Sequence, residues 1–219
     1  MTPTDRARLV HRVYATLLDA YGPQGWWPAD TPFEVIVGAI LTQNTAWKNV
    51  RRAIHNLKAE GLLHPEAILR ADEDHLRRCI RPSGYYNQKT KRVLTFCRHL
   101  AEQWNGDLEA FLGQEMGALR RELLSLNGIG PETADSIVLY AAHQPSFVVD
   151  AYTHRVFSRH GWVPEEVAYD ELRNYFMDCL EPDVYLFQEL HALMVRVGHE
   201  HCGRKASCPG CPLEPFLAE

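Results

Sequence analysis

The sequence predicts an all-α protein, and three observations carry that prediction. Apolar residues recur at helical spacing through most of the chain, prolines and glycines fall where such helices start and stop, and no pair of alternating strands is present. Residues 4–22, TDRARLVHRVYATLLDAYG, put Leu9, Val13, Leu17 and Leu18 on one face and stop at Gly22-Pro23. The stretch TPFEVIVGAILTQ offers Thr31 as cap and Pro32 in the first turn, then runs apolar on all sides from Val35 to Leu41. A buried strand would read similarly, but the length and the starting signals favour a helix at the centre of a core. AWKNVRRAIHNLKAEG and NQKTKRVLTFCRHLAEQWNG are amphipathic and end in Gly61 and Gly106. EMGALRRELLSL, YDELRNYFMDCL and DVYLFQELHALMVRVGHEHC continue the pattern, with no internal repeat and no low-complexity segment.

At 219 residues and 46% apolar composition the chain can bury a substantial core, as one domain or two small ones. No stretch approaches the roughly 18 apolar residues of a membrane span. The N-terminus lacks an apolar signal core, so a cytoplasmic protein is expected. Cys79, Cys97 and Cys179 are scattered, whereas Cys202, Cys208 and Cys211 are gathered as ligands would be, not as a disulfide framework would be. A net charge of −5 argues against a nucleic-acid partner, but it hides segregation. Residues 81–98 carry Arg81, Lys89, Lys91, Arg92 and Arg98 with no acid, and Lys48, Arg51, Arg52 and Lys58 form a second basic group. Residues 165–189 hold eight acids, and Arg173 alone among lysines and arginines. The basic runs are either solvated helix faces or a phosphate-contacting surface.

The most specific local signal is LNGIGPETADSIV, residues 126–138. Gly128 and Gly130 suit the positive φ angles and close approach of a compact hairpin, and Pro131 suits the first turn of the helix that follows. N–H groups at that helix mouth, backed by its dipole, can hold an anion such as a phosphate without any side chain. EMGALRRELLSL precedes it, so the unit reads helix, glycine hairpin, helix. Further on, FVVDAYTHRVFSR leads an apolar run into Asp150 at the start of another helix, where an aspartate also serves as an ordinary cap.

The pairing of LNGIGPETA with VVDAYTHRV, together with AILTQNTAWKNV, GYYNQKTKRV and the terminal cysteines, resembles the helix-hairpin-helix DNA glycosylase superfamily, which includes endonuclease III. The likeness spans about residues 30 to 211. It implies a two-domain fold: a helical bundle over 31–141 containing the hairpin, and a second, discontinuous domain from 1–30 and 142–219 carrying the cysteine loop, with substrate in the cleft between them. It also implies base-excision repair, with the lesion nucleotide turned out of the duplex. Asp150 matches the aspartate that acts at the sugar C1′, where a carboxylate stabilises oxocarbenium character or orients water. Gln43 matches the residue that fills the hole left by the extruded base, or is simply a polar residue at a helix end. Gly128, Gly130, Lys89, Lys91 and Arg92 are the expected phosphate contacts.

The chain departs from the family pattern in two places. Bifunctional members carry a lysine after the hairpin, where its amine attacks C1′; this chain has Glu132, which cannot form an imine. Glu132 then either sits favourably at the helix N-terminus or orders water near Asp150. The loop Trp26-Trp27-Pro28 and Trp47 after QNT resemble the base pocket of the 3-methyladenine DNA glycosylase III branch, whose aromatic faces attract a cationic alkylated base. Elsewhere such tryptophans are hydrophobic cover. Cys202, Cys208 and Cys211 resemble the endonuclease III iron-sulfur loop, but Leu217 stands where a fourth cysteine belongs. The expected cofactor is a [4Fe-4S] cluster with His199, His201 or a terminal carboxylate as fourth ligand, against zinc or no metal. The expected partner is double-stranded DNA containing a damaged base, bound by a monomer away from any membrane. The alternatives are a catalytically weak damaged-DNA-binding relative and a glycosylase for oxidised or mismatched pyrimidines.

Overall fold

The computed structural model describes residues 2–218, and helices account for its regular structure; among the described residues there is no β-strand. In chain order the helices are α1 (Pro3–Tyr21), α2 (Pro32–Leu41), α3 (Trp47–Ala59), α4 (Pro65–Arg70), α5 (Glu73–Ile80), α6 (Tyr86–Trp104) and α7 (Leu108–Leu112). They continue with α8 (Met116–Ser125), α9 (Pro131–Tyr140), α10 (Ala151–Arg159), α11 (Tyr169–Cys179) and α12 (Val184–Glu200). Single 3-10 turns cover Arg81–Ser83 and Glu214–Ala218. The all-α expectation holds, and the apolar run at Val35–Leu41 is helix, not strand. No described helix is long and apolar enough to cross a membrane.

The chain divides into two compact units, residues 29–144 and the residues up to Pro28 together with those from Pro145 on. In the first, α2 is central: every residue from Phe33 to Leu41 is buried, and α3, α6 and α9 pack around it. Thr31 caps α2 by accepting the Glu34 N–H at 3.2 Å, and Pro32 fills the first turn, so the sequence signals act as read. A polar knot fastens the helix that enters the hairpin: the Glu122 carboxylate receives Trp104 Nε1 at 2.7 Å and Gln114 Nε2 at 2.8 Å, and pairs with His99 Nε2 at 2.6 Å.

In the second unit α1 packs on α11 and α12, and α10 lies against α12. Its core is aromatic: Phe147 stacks on Phe176 with ring centroids 4.1 Å apart and meets Phe187 edge-on, while Phe157 meets Phe176 at 4.6 Å. Phe147 to Val149 are buried, anchoring the chain just before α10. A side chain at Gly198 on α12 would come within 2.5 Å of Tyr152, so this glycine lets α10 sit close.

Candidate functional site

In the 29–144 unit the hairpin joins α8 to α9. Leu126 and Ile129 close successive turns, the Ile129 N–H donating to the Leu126 carbonyl at 3.0 Å, and Ile129 points into the core. Gly128 has φ +89°, and a Cβ there would lie 2.5 Å from the Arg92 side chain, so both reasons for glycine hold at this position. Gly130 differs from the expectation. Its φ is −92°, an angle any residue adopts, and a Cβ would meet no protein atom within 4 Å. Gly130 is the N-cap of α9, and no side chain caps that helix. Across the hairpin Arg120 forks onto buried Asp135, Nε to Oδ1 at 2.9 Å and Nη2 to Oδ2 at 3.1 Å, clamping α8 to α9.

Three predicted residues converge on this turn. Arg92 Nη1 donates to Gln43 Oε1, and Gln43 Nε2 donates to the Gly128 carbonyl at 3.0 Å and to Thr133 Oγ1 at 2.9 Å. The order Arg92, Gln43, Gly128 is a chain of donors that holds the glutamine against the hairpin. Glu132 is exposed in the first turn of α9, its carbonyl accepting the Ser136 hydroxyl at 2.7 Å. Trp47 is half-buried at the start of α3.

Lys89 requires a correction. It was expected among the phosphate contacts, but its side chain is buried, and Nζ donates to the carbonyls of Leu41 at 2.8 Å and Ser83 at 2.7 Å. It satisfies carbonyls at the end of α2 and in the following 3-10 turn. Burial, with Arg92 nearby, lowers its pKa to about 8. The neighbouring Lys91 is exposed, as are Lys48, Arg51 and Arg52. Lys58 also leaves the basic group, pairing with Asp30 at 2.7 Å and Glu34 at 2.8 Å.

In the second unit Asp150 is the N-cap of α10, Oδ1 accepting the Thr153 N–H at 2.7 Å. The cap engages one carboxylate oxygen. His191, buried on α12, is pushed below the usual imidazole range by burial, while the Asp150 charge pulls the other way. Its ring lies 5.7 Å from Trp26, which in turn stacks with Trp27 at 6.1 Å. Buried Glu189 fixes the loop ahead of these rings by accepting the N–H groups of Gln24 at 2.6 Å and Gly25 at 2.8 Å. Pro28 is exposed. Glu189 and His191 escaped the sequence reading; the signal that could have found them is two polar residues within an otherwise apolar helical run, in FQELHALMV.

Cys202, Cys208 and Cys211 line one cavity of about 180 Å³, shared with Val156, His160 and His201. Burial first, then the proximity of Cys208 and Cys202, raises the Cys211 thiol above its ordinary pKa. Arg159 donates to Cys202 Sγ at 3.2 Å and to the Gly203 and Arg204 carbonyls at 2.8 and 3.0 Å. Among the described residues no His, Cys, Asp and Glu group is gathered tightly enough for a single metal ion.

Residues 37–182 match the sequence model of the HhH-GPD superfamily of base excision DNA repair proteins. A protein of Methanocaldococcus jannaschii, provisionally named a DNA repair glycosylase, is 49% identical over 213 residues, covering 97% of each chain. Endonuclease III of Thermotoga maritima is 30% identical over 186 residues, covering 85% of this chain and 80% of its own. Among solved structures, H. pylori 3-methyladenine DNA glycosylase bound to 1,N6-ethenoadenine aligns with a TM-score of 0.76 at 27% identity, over 91% of this chain and 98% of that one. An endonuclease III–DNA complex shares the fold, with a TM-score of 0.82 at 22% identity over 96% and 94% of the two chains. The chain belongs to the HhH-GPD superfamily of base excision DNA repair proteins, the helix-hairpin-helix DNA glycosylases.

Proposed function

We propose that this glycosylase is monofunctional and hydrolyses the N-glycosidic bond of an alkylated purine such as 3-methyladenine in duplex DNA, leaving an abasic site on an uncut strand. The observation that carries the proposal is the absence of an available amine in the helix after the hairpin. That helix presents Glu132, and Lys89, expected from the sequence among the DNA contacts, is buried with two carbonyl partners. A Schiff base needs a primary amine at C1′, so the route through a covalent imine is closed.

The remaining residues then have these roles. Gly128, Gly130 and the uncapped start of α9 receive a backbone phosphate, with Lys91 and Arg92 adding positive charge. Gln43, oriented by Arg92, enters the space left by the extruded nucleotide. Trp26, Trp27 and Trp47 supply aromatic faces to the base, which suits a cationic methylated purine, and Pro28 contributes an apolar edge to the same loop. As its bond to the sugar breaks, the base leaves with the bonding electrons, and Asp150 stabilises positive charge at C1′. Water adds there and gives up a proton to the carboxylate or to solvent. The similarity to a 3-methyladenine DNA glycosylase supports this choice of lesion. Cys202, Cys208 and Cys211 would hold a [4Fe-4S] cluster, whose contribution is to rigidify their loop against α10 and α12 rather than to react.

Purified protein should be assayed on three duplexes, carrying an alkylated purine, an oxidised pyrimidine and a mismatch. Release of free alkylated base, strand cleavage only after alkali, and no trapping by borohydride are expected. Nicking with efficient trapping would overturn the monofunctional reading. Tight binding without base release would assign the chain to damaged-DNA recognition without turnover.

A further inference from the structure

We infer that His201 supplies the fourth ligand of the cluster proposed for the cysteine cavity, in the place of the cysteine that Leu217 does not provide. This inference rests on the iron-sulfur reading of that cavity and adds to it. His201 and Leu217 both line the cavity with the three cysteines, and Leu217 has no donor atom. His201 is also held in place. Its Nδ1 lies 3.2 Å from the Ser207 carbonyl, and its own carbonyl accepts the Ser207 N–H at 2.8 Å. Cys202 and Ala206 bridge just inside these contacts. A carbonyl can only receive a hydrogen bond, so in the neutral ring the Nδ1 contact places the proton on Nδ1 and the lone pair on Nε2. A histidine whose second nitrogen donates to a backbone carbonyl is a common form of metal-ligating imidazole.

The competing donors are otherwise engaged. His160 also lines the cavity, but its Nδ1 lies 2.7 Å from the Val156 carbonyl and its Nε2 3.4 Å from the Leu213 carbonyl, and its ring stacks on Trp162 at 4.3 Å. Glu214 is exposed, and its Oε2 accepts the Gly210 N–H at 3.0 Å, holding the turn between Cys208 and Cys211. His199 is exposed on α12 and is not among the residues around the cavity. A carboxylate at Glu219 lies outside the described residues. Coordination by neutral Nε2 adds no charge, so the site would hold three thiolates and one imidazole.

The full-length protein, purified without oxygen, should contain about four irons and four sulfides per chain. With the cluster oxidised or reduced into a paramagnetic state, pulsed electron paramagnetic resonance should detect a nitrogen coupling that changes when histidine is supplied as 15N. His201→Ala should lose that coupling and fall to about three irons, while retaining the native circular dichroism spectrum. His201→Cys should keep four irons, lose the coupling and shift the reduction potential downward, because thiolate replaces imidazole. Four irons with no histidine nitrogen coupling, or an unchanged His201→Ala, would overturn the ligand while leaving the cluster standing. Colourless, iron-free wild-type protein would overturn both.

Discussion

Helices α9 and α10 begin in opposite ways. At α9 the N-cap is Gly130 and no side chain caps the helix; at α10 the Asp150 carboxylate accepts the Thr153 N–H at 2.7 Å. A start that carries no acceptor keeps its positive end for an incoming anion. A start closed by a carboxylate fixes that carboxylate in one place. Capping and catalysis are therefore compatible roles for Asp150: the cap uses Oδ1, and the rigidity it confers is what a preorganised charge requires.

The largest expected effect separates those roles. Asn caps a helix about as well as Asp, so Asp150→Asn should change unfolding free energy by no more than about 0.5 kcal/mol. Base release should fall by roughly 10³- to 10⁴-fold in single-turnover kinetics. A mutant that melts normally and releases base at the wild-type rate would reduce Asp150 to a cap.

Next in size is the clamp behind α9. Arg120→Ala leaves the Asp135 carboxylate buried without its bidentate partner, which should cost about 3–5 kcal/mol in urea unfolding. DNA affinity should fall with it, because the start of α9 is positioned by that pair. An unchanged unfolding midpoint would mean that apolar packing alone holds the hairpin.

Much of this arrangement was legible beforehand. Thr31-Pro32, Gly22-Pro23 and Pro131 are local signals, and local signals survive folding because they act within one turn. Asp150 was legible as a cap for the same reason. What escaped depends on which way a side chain turns. Lys89 and Lys91 sit two residues apart in one basic run, yet one is buried under carbonyls and the other faces solvent. Charge counting cannot separate them. Lys58 was read as part of a basic surface because its partners, Asp30 and Glu34, are distant in sequence. The short helices α4, α5 and α7 were not marked out, since six, eight and five residues carry too little periodicity to stand above background. His191 and Glu189 were hidden by the apolar helix around them.

The two hairpin glycines sharpen the contrast at smaller scale. Gly128→Ala forces a left-handed angle on a residue with a Cβ and pushes it into Arg92, for an expected loss of about 1–3 kcal/mol in thermal or urea unfolding. Gly130→Ala meets nothing and should stay within about 0.5 kcal/mol of wild type. If a DNA backbone approaches the α9 start closely, the Gly130 variant should nevertheless bind duplex more weakly. Equal stability losses at the two positions would contradict the backbone angles seen here.

The smallest expected effect tests the charge at the open start itself. Glu132 is exposed in the first turn of α9, where a carboxylate interacts favourably with the helix dipole. Glu132→Gln removes that charge while keeping shape, so stability should fall by about 0.5 kcal/mol, an effect that salt screens. The same change removes a negative charge from the proposed phosphate site, so duplex affinity should rise modestly at low salt and converge with wild type as salt increases. Base release at saturating enzyme reports separately. A rate equal to wild type makes Glu132 an electrostatic feature of the helix, whereas a tenfold or greater drop makes it a partner in ordering the attacking water. In neither case should the strand be nicked, because glutamine, like glutamate, offers C1′ no amine.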